Sequence, residues 1–181
     1  MKRSKKKNDE AHQRTLPPSP LAAPMIRMLE TKLEVPNSYV PPGPLRSALD
    51  VAKMMRELIG EADREHFAAL YLNTRHFVTH VHIVSRGTPQ ATVVHPREVF
   101  KAAFLANAAA LIVVHNHPSG DVHPSSDDRA ITERLRDAGY LLGIELLDSV
   151  IVGPADEFYS TVEERVVRLN KEGTRDVADR P

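Results

Sequence analysis

The sequence predicts a single α/β domain over residues 46–170, set between a flexible Pro/Lys-rich tail at residues 1–45 and a second flexible tail at 171–181. Three observations point to that class. Apolar runs of strand length alternate with segments whose apolar residues recur at helical spacing. Two of the strand-like runs, Phe67–Leu72 and Phe77–Val84, are separated only by Asn73-Thr74-Arg75-His76, as in a hairpin. A β-branched run ending at Val114 is typical of an interior strand and leads into a polar, histidine-rich segment, and open α/β sheets place their chemistry at such strand ends.

Taken in order, residues 1–45 hold eight of the 14 prolines and the basic cluster Lys2, Arg3, Lys5, Lys6 and Lys7, with little apolar material to bury. This stretch reads as a solvated leader or as a nonspecific contact for nucleic acid or an acidic protein. Ser47 is placed to cap a helix, with Asp50 three residues on and Val51, Met54, Met55, Leu58 and Ile59 at helical spacing. Gly60 is its expected stop. After the hairpin, a short strand is expected at Ala91 to Val94, an apolar helix from about Arg97 to Ala109, and the interior strand at Leu111 to Val114. Residues Ser126 to Ala138 carry Ala130, Ile131 and Leu135 on one helical face, closed by Gly139 or Gly143 before a strand at Ile144 to Val152. A last helix is expected at Thr161 to Asn170, beyond which the polar remainder frays.

Bulk properties exclude several classes. Lys+Arg and Asp+Glu both number 24, so the folded part carries no global basic field that would by itself imply a nucleic-acid or membrane partner. The absence of cysteine excludes disulfides and confines any zinc to nitrogen and oxygen ligands. Leu21 to Met28 is broken by Pro24 and is a poor secretory segment, and no run approaches the roughly 20 apolar residues of a membrane span. A cytoplasmic protein is expected.

The chemistry concentrates at His115-Asn116-His117 and Asp128. In an extended strand alternate side chains share a face, so His115 and His117 project together while Asn116 faces away. The chain then turns at Pro118-Ser119-Gly120, and Asp128 returns eleven residues later near the start of a helix, where its carboxylate can join them. Two imidazoles and one carboxylate are a ligand set that zinc accepts with a fourth position left open, as catalytic sites require. Alone, a His-x-His pair is as readily two hydrogen-bonded imidazoles at a strand end.

The longer pattern is His115-x-His117, seven residues, Ser125, two residues, Asp128, which is the JAMM signature. The sequence resembles the JAB/MPN metalloprotease superfamily and, within it, the RadC-like branch, because Val94-His95-Pro96-Arg97-Glu98-Val99-Phe100 and His117-Pro118-Ser119-Gly120-Asp121 also match. The similarity runs from about Ser47 to Val167. It implies a cytidine-deaminase-like α/β fold, with a mixed central sheet flanked by helices, and one Zn2+ per chain held by His115, His117 and Asp128. It also implies a glutamate just ahead of a core strand as general base, a place that Glu65 occupies in Asp63-Arg64-Glu65-His66-Phe67, with Glu61 and Glu98 as lesser candidates. Ser125 matches the serine whose hydroxyl stabilises the oxyanion of the tetrahedral intermediate, although it is equally placed to cap the helix that follows.

The resemblance therefore implies a zinc metallopeptidase acting on a peptide or isopeptide bond of unspecified identity. The alternative is a DNA-repair or recombination-associated accessory factor, the role historically attached to the RadC-like branch. Asp121 and Asp127 are nearby carboxylates, His123 an exposed loop residue, and His95 a group that can hydrogen-bond within the site. His80 and His82 form a second His-x-His pair with no carboxylate following at useful spacing. The letters His-Asn-His do not indicate the nuclease motif of that name, whose residues are far apart in sequence.

Overall fold

A computed structural model of the protein describes residues 43–87, 94–154 and 156–168. The basic cluster with its expected nucleic-acid contact, residues 91–93 of the expected short strand, and the tail at 171–181 lie outside the described residues.

Ser47 caps α1 (Ala48–Met55) through a capping box: its Oγ accepts the Asp50 N–H while the Asp50 carboxylate accepts the Ser47 N–H. The helix runs on as a π-helical turn, Arg56–Gly60. There follow β1 (His66–Leu72), β2 (Val78–Arg86), α2 (Pro96–Leu105), β3 (Ala110–Asn116), α3 (Ser126–Leu142), β4 (Glu145–Val152), β5 (Glu157–Ser160) and β6 (Arg165–Arg168).

The strands form one six-stranded sheet in the order β2-β1-β3-β4-β5-β6. Only β3 and β4 are parallel, so the sheet is mixed. Strand alternation sorts the core into two layers. Ala68, Leu70 and Leu72 of β1 with Ile112 and Val114 of β3 pack against Val51, Ala52 and Met55 of α1. Phe67, Ala69 and Tyr71 of β1 with Leu111 and Val113 of β3 face Val99, Phe100 and Ala103 of α2 and Leu135 of α3. Both faces of β3 are covered and all seven of its residues are buried, which is why Ala110 to Val114 reads as an uninterrupted apolar run. Full burial of each Val, Leu or Ile contributes roughly 1.5–3 kcal/mol, so this central strand is a rigid place from which to hang a site. The buried Tyr71 hydroxyl keeps a partner by donating to the Val99 carbonyl at 2.8 Å.

Helix ends are set locally. α2 stops at Leu105, short of the expected Ala109, because Asn107 takes a left-handed conformation (φ 50°) and Ala108 N–H returns to the Ala103 carbonyl. α3 passes through Gly139 and stops at Gly143 (φ 68°), whose successor Ile144 donates to the Gly139 carbonyl. Gly139 serves a different need: a side chain there would put its first carbon 2.5 Å from the Ile144 carbonyl oxygen, so its absence lets α3 dock closely on the start of β4.

Among the described residues, up to Arg168, the helix expected at Thr161 to Asn170 does not form. Thr161 to Glu164 is a turn and Arg165–Arg168 is β6, hairpinned to β5, a strand the sequence pattern did not single out. The turn is built by Asp148, whose carboxylate accepts from Ser160 Oγ and Val162 N–H, and by Ser160, whose Oγ accepts the Glu163 N–H. Glu164 then adopts φ 53°, which breaks helical continuity and delivers the β-branched pair Val166-Val167 to the sheet.

Candidate metal centre

β3 is longer than its apolar run, so His115 and Asn116 are still strand residues, and His117 extends the pairing by donating its N–H to the Val152 carbonyl at 2.9 Å. His115 sits opposite Phe67 of β1 and Ile151 of β4, with its ring stacked on Phe67 at 5.8 Å and 12°. The register puts His115 and His117 on the α2–α3 face and turns Asn116 to the other. Asp128 approaches from α3, where it occupies the third position of the helix. Its N–H donates to Ser125 Oγ at 3.1 Å, and its Oδ2 accepts from Ser125 N–H at 2.8 Å and Ser125 Oγ at 2.6 Å. The positive end of the α3 dipole favours a carboxylate at that point.

The three side chains converge. His115 Nε2 is 3.1 Å from Asp128 Oδ1, His117 Nε2 is 3.5 Å from Asp128 Oδ2, and the two Nε2 atoms are 3.2 Å apart. Ligand atoms at zinc bond lengths and tetrahedral angles lie roughly 3.3–3.6 Å from one another; here the two imidazoles face different oxygens of one carboxylate, and one ligand atom from each residue lies within 4.8 Å of the others, close enough for a single ion to gather. Among the described residues it is the one group of three His or acidic side chains able to hold an ion. The donor chemistry agrees. His117 Nδ1 meets the Asp121 carbonyl, which can only accept, so a proton sits on Nδ1, and when the ring is neutral its Nε2 lone pair points inward. Lone pairs facing one another across about 3 Å call for a cation or a proton between them.

The electrostatics report the same crowding. Burial works against ionisation of Asp128, yet hydrogen bonds from His115, His117 and Ser125 hold its carboxyl far below the usual carboxylate range. Burial also opposes protonation of His117, but the Asp128 carboxylate, the Asp121 carbonyl and the Glu65 charge together raise it above an ordinary histidine. Glu65 is half-buried immediately ahead of β1 and close enough for its charge to act on His117. A cavity of about 220 Å³ opens beside Asp128 between α3 and β4–β5, lined by buried Thr132, Ser149 and Ile151 and by exposed Arg129, Glu133 and Arg136.

The remaining candidates separate from this cluster. The Asp121 carboxylate is engaged by the N–H and ring of His123, which hold it below its ordinary value, and both residues are exposed. Asp127 is exposed in the first turn of α3. Glu98 pairs with Lys101 and Arg97, Glu61 is exposed, and His95 precedes α2 without a side-chain cap bond. His80 is exposed on β2, while burial and the charge of Lys101 lower the pKa of His82. Sequence reasoning missed the work of Asn116, Phe67 and the Asp121 carbonyl around the cluster. A polar residue between two histidines at the end of an all-apolar strand was the available signal, because a buried amide survives only with partners.

A family model described as the RadC-like JAB domain matches residues 45–166. The chain belongs to this family. A UPF0758 protein of Bacillus cereus (strain B4264) is 44% identical over 134 residues, covering 74% of this chain and 57% of its own length. A UPF0758 protein of Rubrobacter xylanophilus is 47% identical over 120 residues, 66% of this chain and 52% of that protein. A third, from a Geobacillus strain, is 46% identical over 145 residues, 80% and 62% respectively. The chain thus spans between half and two thirds of the length of these curated relatives. The RadC-like domain match takes in every strand but the end of β6, together with His115, His117, Ser125, Asp128 and Glu65. Among its described residues no helix is long and apolar enough to cross a membrane.

Proposed function

We propose that this RadC-like domain is a zinc-dependent peptidase or isopeptidase. The observation that carries the reading is the convergence of two imidazole nitrogens, 3.2 Å apart, on the two oxygens of one carboxylate at 3.1 and 3.5 Å, three ligands where tetrahedral zinc takes four. His115, His117 and Asp128 would hold the ion, which when bound supplies Lewis-acid polarisation of a carbonyl and acidifies a water molecule. Glu65 accepts a proton from the attacking water as its oxygen bonds to the carbonyl carbon. The same carboxyl returns that proton to the amine nitrogen as the C–N bond breaks, leaving an acid and an amine. Ser125 holds Asp128 by its hydroxyl and, rotated toward the substrate, donates to the oxyanion. The cavity along α3 and β4–β5, which reaches the cluster at Asp128, is where part of the substrate would be seated.

Metal analysis of the purified chain, followed by turnover on an unbiased peptide and isopeptide library, tests this. About one zinc per chain is expected, lost in His117→Ala. Glu65→Gln should retain the metal and lose at least about 100-fold in turnover. A chain that takes up no zinc, or a Glu65→Gln variant with full turnover, overturns the reading.

A further inference from the structure

Asn116 has no exposed surface. Because it alternates with the two histidines, it lies on the opposite face of β3, against the segment that joins the π-helical turn to β1. Its Oδ1 accepts the His66 N–H at 2.7 Å, and its Nδ2 donates to the Arg64 carbonyl at 3.0 Å and the Ala62 carbonyl at 3.4 Å. The partners dictate the orientation, since a flipped carboxamide would set N–H against N–H and carbonyl against carbonyl. One side chain therefore uses both of its donors and an acceptor on three backbone groups of a five-residue segment.

Glu65 lies between two of those anchors, Arg64 and His66. Its own main-chain carbonyl accepts the Gly87 N–H at 2.9 Å, which fastens the same residue to the end of β2. With its backbone gripped from both sides, Glu65 has little freedom beyond its own rotamers, and its charge reaches His117. The tripeptide His115-Asn116-His117 thus works on both faces of the sheet end.

We propose that Asn116 is a positioning residue for Glu65, fixing the backbone of residues 62–66 so that the carboxylate is held at the His115–His117–Asp128 cluster. The proposal rests on the metallopeptidase reading and goes beyond it. It assigns the middle residue of the motif to the proton-transfer side of the site, with no part in ligation. Its loss should leave metal binding nearly intact and disturb what surrounds the bound ion, the opposite of losing a ligand.

The test uses the full chain loaded with Co2+ as a spectroscopic probe, comparing wild type, Glu65→Gln, Asn116→Ala and the near-isosteric Asn116→Asp. Asn116→Asp keeps an acceptor for His66 N–H but presents oxygen to two carbonyls. Every variant is expected to bind Co2+ within about threefold of wild type, because the ligands are untouched. Glu65→Gln should change the visible spectrum. Both Asn116 variants should change it in the same direction, with no added effect when combined with Glu65→Gln. Hydrogen exchange at the His66 amide should rise roughly tenfold or more in Asn116→Ala.

A wild-type spectrum in both Asn116 variants, or in Glu65→Gln, overturns the proposal. So does rapid exchange of the Asn116 carboxamide protons in wild-type protein, a measurement that stands even if the variants fail to fold. A wild-type chain that binds Co2+ yet cleaves nothing sinks the hydrolase reading alone, whereas one that binds no Co2+ sinks both.

Discussion

Two helices of this domain begin with the same local device and only one of them makes a site. Ser47-x-x-Asp50 opens α1 and Ser125-x-x-Asp128 opens α3, and in each the serine hydroxyl takes the aspartate N–H while aspartate Oδ2 takes the serine N–H. At α1, Asp50 Oδ2 is also occupied by the Arg46 N–H at 2.9 Å and the Ser47 hydroxyl at 3.1 Å, and the box serves as a cap. At α3, capping again falls on Oδ2, and Oδ1 stands 3.1 Å from His115 Nε2. The difference lies in what the sheet presents opposite the helix. α3 starts over the end of β3, where two imidazoles project. A capping box is thus a precise way to aim a carboxylate, and the aim becomes chemistry only when the fold sets partners in front of it.

The strongest test breaks one carboxylate of each pair. Asp128→Ala should weaken zinc binding at least about 100-fold, while Asp50→Ala should leave metal affinity unchanged and cost about 1 kcal/mol in urea denaturation. Equal metal loss in both would show that the boxes differ only in sequence position. Truncating the serines gives a smaller contrast. Ser47→Ala and Ser125→Ala should each lose about 1 kcal/mol of stability, but only Ser125→Ala should weaken zinc, by roughly tenfold, because only its hydroxyl steadies a ligand.

The smallest effect sharpens the comparison with a third carboxylate that organises a turn. Burial raises the pKa of Asp148 even as it accepts from Ser149, Ser160 and Val162. The sign follows from the raised value. The stability tied to protonated Asp148 is present below the ordinary carboxylate value of about 4 and is lost as pH rises through the folded-state value. Asp148→Asn cannot titrate, so denaturation midpoints measured from pH 4 to 7 should move in the variant's favour relative to wild type. A pH-independent difference would contradict this.

Much of the domain could be read before any coordinates. The Ser47 cap, the hairpin of β1 and β2, the interior strand and the α3 start all follow from short-range chemistry, and the structure has them where expected. The errors share a cause. The segment from Thr161 carries helix-compatible residues, yet Asp148, thirteen positions earlier, supplies the acceptors that fold it into a turn. β5 is only four residues long and is defined by pairing with its neighbours on both sides. Around the cluster, the spacing of His115, His117 and Asp128 was legible because alternation and capping are local rules. The Asn116 anchors on residues 62–66 and the stacking of Phe67 on His115 join positions about 50 apart in the chain, which no local rule reaches.

By itself, then, the sequence settled which side chains share a strand face, where each helix begins, and which three residues could serve as ligands, since dihedral preferences and capping act over a few residues. Tertiary packing decided the rest: that α3 docks with Asp128 over the end of β3, that the 62–66 segment is strapped beneath that end, and that the chain after Ser160 turns back into the sheet. Those outcomes depend on burying two faces of one sheet at once and on pairing the backbone polar groups enclosed in doing so, conditions that apply to the folded chain as a whole.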